Sequence, residues 1–166
     1  MFVVGIDPGV SRCGYGAVRR EGGALRPVAL GVITTPTSVA LPERLATLAR
    51  ELRELLAELA PDVVAVERLF FQANVRTAMS VGQASGLVLA AAARAGCEVV
   101  EYTPGQVRQA VAGYGAATKE QVQRMVQSLL GLPERPRPHD AADALALALC
   151  HHAVAPLATR LRLVTR

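Results

Sequence analysis

The hydrophobic and polar positions of this chain fall into runs that predict strands and helices. Phe2 to Ile6 is a continuous apolar run that ends at the turn signal Asp7-Pro8-Gly9, and a strand apolar on both faces belongs in the middle of a sheet. Gly14 to Arg19 and Val28 to Thr35 are half-polar and predict two more strands, joined through Gly22-Gly23 in an antiparallel meander. The chain therefore begins with three consecutive strands.

After the three strands, the spacing between apolar residues changes from every second position to every third or fourth. Leucines at 41, 45, 48, 52, 55, 56 and 59 form the stripe of an amphipathic helix over Pro42 to Ala60. Pro61-Asp62 ends this helix, and the all-apolar run Val63 to Val66 predicts a second central strand that ends at Glu67.

The second half of the chain continues as β-α-β and then as helices. We predict a helix over Asn74 to Ala95, a strand over Cys97 to Tyr102, and helices over Pro104 to Ala112, from the capping box of Thr118 and Gln121 to Leu130, and over about Asp140 to Ala153. This order implies one α/β domain over residues 1–154, with a five-stranded mixed sheet between two layers of helices. Residues 155–166, with Arg160, Arg162 and Arg166, are predicted to be a loose basic tail.

Composition excludes several classes of protein. The 166 residues are 51% hydrophobic and 19% charged, which is typical of one compact globular domain and not of a disordered chain. Cys13, Cys97 and Cys150 are scattered, so neither a disulfide framework nor a zinc site is expected, and a reducing cytoplasm fits best. We expect no signal peptide and no membrane segment. The net charge of +4 permits a polyanionic partner without requiring one.

Two carboxylates are predicted to share one edge of the sheet. Asp7 and Glu67 each follow an all-apolar strand, and adjacent parallel strands would bring them about 5 Å apart. Two such charges repel by roughly 3 kcal/mol at an effective dielectric constant of 20, so a cation is expected between them. Taken singly, Asp7 could be a turn initiator and Glu67 a strand-end residue paired with a base.

Two further carboxylates stand three residues apart on the last helix. Asp140 and Asp143 would lie on one helix face, although Asp140 alone could serve only the helix dipole. Asp143 interrupts an apolar run from Ala141 to Cys150, and a buried carboxylate needs a partner. Oxygen ligands alone suit Mg²⁺ or Mn²⁺, and two such ions support phosphodiester hydrolysis. His139, and His151 and His152 near the expected helix end, are left outside the site as capping or dipole partners.

Three segments together resemble the RuvC-type Holliday-junction resolvases, whose fold is like that of ribonuclease H. They are Gly5-Ile6-Asp7-Pro8-Gly9 with Gly14-Tyr15-Gly16, then Ala65-Val66-Glu67-Arg68-Leu69-Phe70-Phe71, and Asp140-Ala141-Ala142-Asp143-Ala144-Leu145-Ala146. The resemblance runs to about residue 153 and implies an RNase-H-like three-layer α/β/α domain.

The resemblance also implies an activity and its residues. The protein would be a Mg²⁺-dependent endodeoxyribonuclease of DNA recombination and repair, a homodimer that nicks opposite strands of a four-way junction and leaves a 5′-phosphate. Asp7, Glu67, Asp140 and Asp143 would be the catalytic and metal-binding residues, with two Mg²⁺ ions per site that Mn²⁺ could replace. Some relatives carry His at the position of Asp140. A further partner would be the RuvA–RuvB branch-migration complex.

DNA-binding residues are expected beside the acidic cluster. Phe70 corresponds to the family's aromatic that stacks on a junction base, with Phe71 as the alternative, and Arg76 could contact a phosphate. Arg108 and Lys119 belong to a surplus of basic residues between 104 and 139 that would hold the DNA backbone. Lys119 lies at a helix N-terminus, where the dipole disfavours an ammonium, and this suggests a nearby anion.

Two other functions stay open from the sequence. Asp7-Pro8-Gly9 and Gly14-Tyr15-Gly16 also resemble the first phosphate loop of the actin and sugar-kinase ATPases, which use two such domains where this chain has length for one. A junction-binding protein without catalysis is the second, but a pure phosphate binder gains nothing from four acids.

Overall fold

One five-stranded mixed sheet carries helices on both faces. The computed structural model describes the backbone of residues 1–68 and 75–164 and the side chains of residues 1–68 and 79–155. The elements in chain order are β1 Phe2–Asp7, β2 Arg12–Glu21, β3 Ala24–Thr34, α1 Leu41–Leu59, β4 Val63–Glu67, α2 Val75–Arg94, β5 Glu98–Tyr102, α3 Pro104–Ala112, α4 Lys119–Leu130 and α5 His139–Val164.

The strand order is β3-β2-β1-β4-β5. β1 pairs with β2 and β2 with β3 in antiparallel fashion, whereas β1 pairs with β4 and β4 with β5 in parallel. The predicted meander and the two parallel crossovers are therefore confirmed. β1 and β4 are the central strands, which explains why their sequences are apolar on both faces.

Alternate residues of the central strands face different layers. Val4, Ile6, Val64 and Val66 pack with Leu48 and Leu52 beneath α1 and α2. Their neighbours Val3, Val63 and Ala65 pack instead with α3, α4 and α5. Because side chains alternate along a strand, the odd-numbered ends of β1 and β4, Asp7 and Glu67, belong to the face covered by α3, α4 and α5.

α5 differs from its predicted end. We expected the helix to stop near Ala153, but its backbone stays helical to Val164, so the predicted helix end is wrong, and the division into a domain over 1–154 and a basic tail stays a prediction. Pro156 lies inside the helix; a proline removes one backbone hydrogen bond and bends a helix, and the leucine, alanine and arginine that follow are good helix formers. Residues 165–166 lie outside the described residues.

Within the part of the chain that the structure describes, no helix combines the length and the apolar character that crossing a membrane requires.

Candidate active site

The acidic residues of β1 and β4 meet at one edge of the sheet. The parallel register pairs Ile6 with Val66, so Asp7 and Glu67 are the next pair along the two strands. Both line a cleft of about 390 Å³, together with Asp143 of α5, Arg108 of α3 and Lys119 of α4. We call this the acidic cleft. Three of the four predicted carboxylates therefore face one cleft, at the end of the sheet where α/β proteins bind ligands.

Close packing of α5 on the sheet brings its acids to β1. A side-chain carbon on Gly5 would collide with the backbone of Ala144, and one on Gly14 would lie 2.9 Å from Cβ of Asp140. Gly14 is also the partner of Asp7 in the β1–β2 ladder. These two glycines allow the first turns of α5 to lie directly on β1 and β2, which places Asp140 and Asp143 beside Asp7.

Asp7 is the carboxylate with the least favourable surroundings. Burial, followed by the negative charges of Asp143, Glu67 and Asp140, raises its pKa from 3.8 to about 7, and Lys119 opposes the rise only in part. Burial and the charge of Asp143 also raise the pKa of Glu67, against the effects of Lys119 and Arg108. Crowded acids of this kind are typical of functional sites, and here they create a demand for positive charge.

Two basic side chains supply part of that positive charge, and the first is Lys119. Lys119 Nζ lies 2.5 Å from Asp143 Oδ2. Burial lowers the pKa of Lys119, but its hydrogen bond to Asp143 and the charges of the acidic cluster outweigh this effect and raise the pKa above its ordinary value. The anion that the unfavourable position of Lys119 suggested is thus, at least in part, a carboxylate of the protein itself.

Asp140 has a different partner, Arg12, which sequence reasoning missed. The guanidinium of Arg12 donates from Nε and Nη2 to Asp140 Oδ2, at 2.9 and 2.7 Å. Asp140 is not among the residues that line the acidic cleft, and it stands beside it at the start of α5. The predicted strand order could have indicated this contact. β2 starts at Arg12 and runs antiparallel to β1, so its first residues must lie next to the end of β1 that carries Asp7.

The four acids are not arranged as a complete set of metal ligands in this structure. Among the described side chains, no group of three or more His, Cys, Asp or Glu residues is arranged so that it could hold a metal ion. Asp140 and Asp143 are instead paired with Arg12 and Lys119.

Two of the three histidines lie where the sequence did not predict them, whereas His139 is at the start of α5 as expected. His151 and His152 are buried in the middle of the longer α5, so their interpretation as dipole partners at a helix end is wrong. The side chain of Tyr102, at the end of β5 beside Glu67, bonds through its hydroxyl to His151 Nδ1 at 2.9 Å. His139 is exposed, and its Nδ1 lies 3.0 Å from Gln123 Nε2.

Not every predicted DNA-binding residue can be located. Arg108 and Lys119 line the acidic cleft as expected. Phe70, with the alternative Phe71, lies outside the described residues. Arg76 belongs to the first turn of α2, and its side chain is also outside the described part.

Comparison with known proteins assigns a family to this arrangement. The model of the crossover junction endodeoxyribonuclease RuvC family matches residues 3–151. A crossover junction endodeoxyribonuclease RuvC from Syntrophomonas wolfei is 54% identical over 151 residues, which cover 91% of this chain and 88% of the relative. One from Rubrobacter xylanophilus is 56% identical and covers 90% and 83%. A solved structure of Thermus thermophilus RuvC in complex with a Holliday junction substrate superimposes with a TM-score of 0.90 at 43% identity and covers 96% of this chain and 97% of that one.

Proposed function

The chain belongs to the crossover junction endodeoxyribonuclease RuvC family, and we propose on this premise that its acidic cleft cuts Holliday junctions by metal-assisted hydrolysis of a phosphodiester. The observation that carries the proposal is the meeting of Asp7, Glu67 and Asp143 in one cleft flanked by Lys119 and Arg108. An acidic centre with a basic rim suits a polyanion whose cleavage needs a cation. Family membership disfavours the ATPase alternative.

The three acids of the cleft, together with Asp140 beside it, form a donor set that fits Mg²⁺. Asp7, Glu67, Asp140 and Asp143 supply only carboxylate oxygens, which are the ligands that hard divalent cations prefer. Burial first, and then three neighbouring acids that Lys119 offsets only in part, raise the pKa of Asp7 to about 7, and a bound cation would relieve both effects. We propose that these four residues hold two Mg²⁺ ions, which Mn²⁺ can replace. The ions would polarise the scissile phosphate and ease ionisation of the attacking water.

The basic residues Lys119, Arg12 and Arg108 have separate roles in this proposal. Lys119 and Arg12 neutralise Asp143 and Asp140 before substrate arrives, which lowers the repulsion among the acids. Once a bound cation balanced Asp143, Lys119 would be able to contact the DNA backbone at the wall of the cleft, and Arg108 lines the same wall. Phosphate contacts of this kind fix the position of the strand without reading its sequence.

We further propose a homodimer that presents two acidic clefts to opposite strands of one junction. The resemblance to the resolvases supports this arrangement, and so does the 62% exposure of the apolar side chain of Met79 on α2. Ala84 and Ser85 of the same helix are buried within the chain, so they are unavailable for contact with a partner. A complex with RuvA–RuvB, stacking by Phe70 and a phosphate contact by Arg76 remain predictions, as does a cytoplasmic location.

The experiment that tests the proposal compares a synthetic four-way junction with a linear duplex of the same sequence. We expect the protein to nick the junction only when Mg²⁺ is present, to leave ligatable ends, and to leave the duplex intact. Binding of the junction without cutting in either Mg²⁺ or Mn²⁺ would make the protein a junction binder and contradict the proposal.

A further inference from the structure

The connection between α3 and α4 presents an exposed aromatic ring. Tyr114 is 46% exposed, whereas the other aromatic side chains that the structure describes, Phe2, Tyr15 and Tyr102, are buried or half-buried. Exposing a ring to water is unfavourable unless the ring has a partner to bind.

Hydrogen bonds hold this ring in place. The hydroxyl of Tyr114 donates to Oε1 of Gln121 at 2.7 Å, and the same oxygen accepts the N–H of Thr118 at 2.7 Å as part of the capping box of α4. The hydroxyl is therefore occupied inside the protein, and a ring face is what remains to interact with a ligand. A ring fixed in this way loses little conformational entropy when something stacks on it.

The connection itself is tied to the wall of the acidic cleft. Nε of Arg108 donates to the carbonyl of Gly115 at 2.5 Å, and the N–H of Ala117 donates to the carbonyl of Tyr114 at 3.3 Å. Arg108, Ala117 and Lys119 all line the cleft. Tyr114 does not itself line the cleft, but it stands on a short braced segment between two bases that do.

We propose that Tyr114 is a stacking platform for a nucleobase of the strand held in the acidic cleft. Base stacking on an aromatic ring tolerates any base, because every base has a π-face, and the neighbouring Arg108 and Lys119 hold the phosphates of the same strand. This inference rests on the proposed function, since it names a second base-binding element for the same DNA. It assigns to the α3–α4 connection the task of fixing the strand's position along the cleft.

A set of junctions with 2-aminopurine at single positions tests the proposal. The label is placed in turn at each nucleotide within about four of the cut, and its fluorescence is measured without added Mg²⁺ so that the DNA stays whole. We expect the wild-type protein to quench one position, Tyr114→Ala to leave that position unquenched, and Tyr114→Ala to bind the unlabelled junction about 5- to 150-fold more weakly, as expected for the loss of one stacked base.

Tyr114→Phe separates stacking from a purely structural role. This variant keeps the ring and loses the bond to Gln121, so stacking predicts quenching and affinity close to wild type, whereas a role confined to the loop predicts that it resembles Tyr114→Ala. Leu129→Ala, an exposed apolar residue ten positions after Lys119 on the same helix, is the control and should change neither quantity. Equal quenching and affinity in wild type and Tyr114→Ala would overturn the inference. Cutting of the junction by the wild type, measured alongside with Mg²⁺, tests the proposed function separately.

Discussion

The two faces of the sheet differ in what their side chains do. Beneath α1 and α2, Leu48, Leu52 and Leu56 pack on Val4, Ile6, Val64 and Val66 in an aliphatic core. On the other face the same two strands end in Asp7 and Glu67, which lie against α5 at a cost that comes first from burial of charge and then from charge repulsion. Both faces use β1 and β4, so the difference arises because successive side chains of these strands point to opposite faces. The set that faces α1 and α2 is aliphatic, whereas the interleaved set is apolar at Val3, Val63 and Ala65 and ends in groups that oppose folding.

The largest effect should follow a change on the acidic face. We expect Asp7→Asn to lower the rate of junction nicking by roughly 10³-fold or more, because the loss of a ligand removes several kcal/mol of charge stabilisation. Junction affinity without metal should persist. Single-turnover nicking and a binding titration measure the two quantities. Glu58→Gln, an exposed acid on α1, is the control, and normal cutting by Asp7→Asn would remove Asp7 from the site.

A change on the face covered by α1 and α2 should lower stability and leave the nicking rate nearly unchanged. We expect Leu52→Ala, a fully buried residue of α1, to lower the free energy of unfolding by about 2 to 5 kcal/mol through the lost apolar contact and the cavity left behind. Denaturant unfolding measures this change. The nicking rate per folded molecule should stay within about twofold of wild type at a temperature where the variant is folded. A large specific loss of rate would show that the two faces are not separable.

The pH dependence of stability sharpens the contrast further. Burial and three neighbouring acids raise the pKa of Asp7 to about 7, so the folded protein binds a proton there that the unfolded chain has released. In metal-free buffer this contribution to the unfolding free energy is present below about pH 4 and is lost as the pH rises through about 7, a change of at most about 4 kcal/mol.

Asp7→Asn removes that titration and provides its control. We expect the variant to gain stability relative to wild type as the pH rises from 4 to 8 in EDTA, as measured by urea unfolding at each pH. Added Mg²⁺ should restore much of the stability of the wild type at pH 8 and have little effect on the variant. Parallel pH curves for the two proteins would contradict the assignment of the raised pKa to Asp7.

The smallest expected effect concerns the basic wall of the cleft. We expect Lys119→Ala to weaken junction binding by about tenfold and to reduce the slope of log affinity against log salt by about 0.9, the value for one lost phosphate contact. Titrations at several salt concentrations measure both. Arg53→Ala, an exposed base on α1, should leave the slope unchanged. If Lys119→Ala also left it unchanged, Lys119 would serve only Asp143.

The sequence predicted the parts of the molecule that depend on local pattern. Apolar runs ending in an acid located Asp7 and Glu67, and the capping box of Thr118 and Gln121 located the start of α4, which the structure confirms. The resemblance to the resolvases implied the meeting of Asp143 with both acids, and all three line one cleft.

Contacts between distant segments could not be predicted in the same way. The pairing of Arg12 with Asp140 spans 128 residues and depends on how closely α5 packs on Gly14. The bond between Tyr102 and His151 joins β5 to α5 across 49 residues and depends on how the helix packs on that strand. Helix propensity alone cannot decide how a proline is accommodated.

The alternation of β1 also ties the formation of the acidic cleft to the correct strand register. A strand that slips by one residue turns every side chain to the other face, so a misfolded chain would drive the carboxylate of Asp7 towards the leucines of α1 and expose Ile6 in its place. Such a molecule would be both unstable and unable to gather its acids. The correct register of β1 is thereby required both for the aliphatic core beneath α1 and for the acidic cleft.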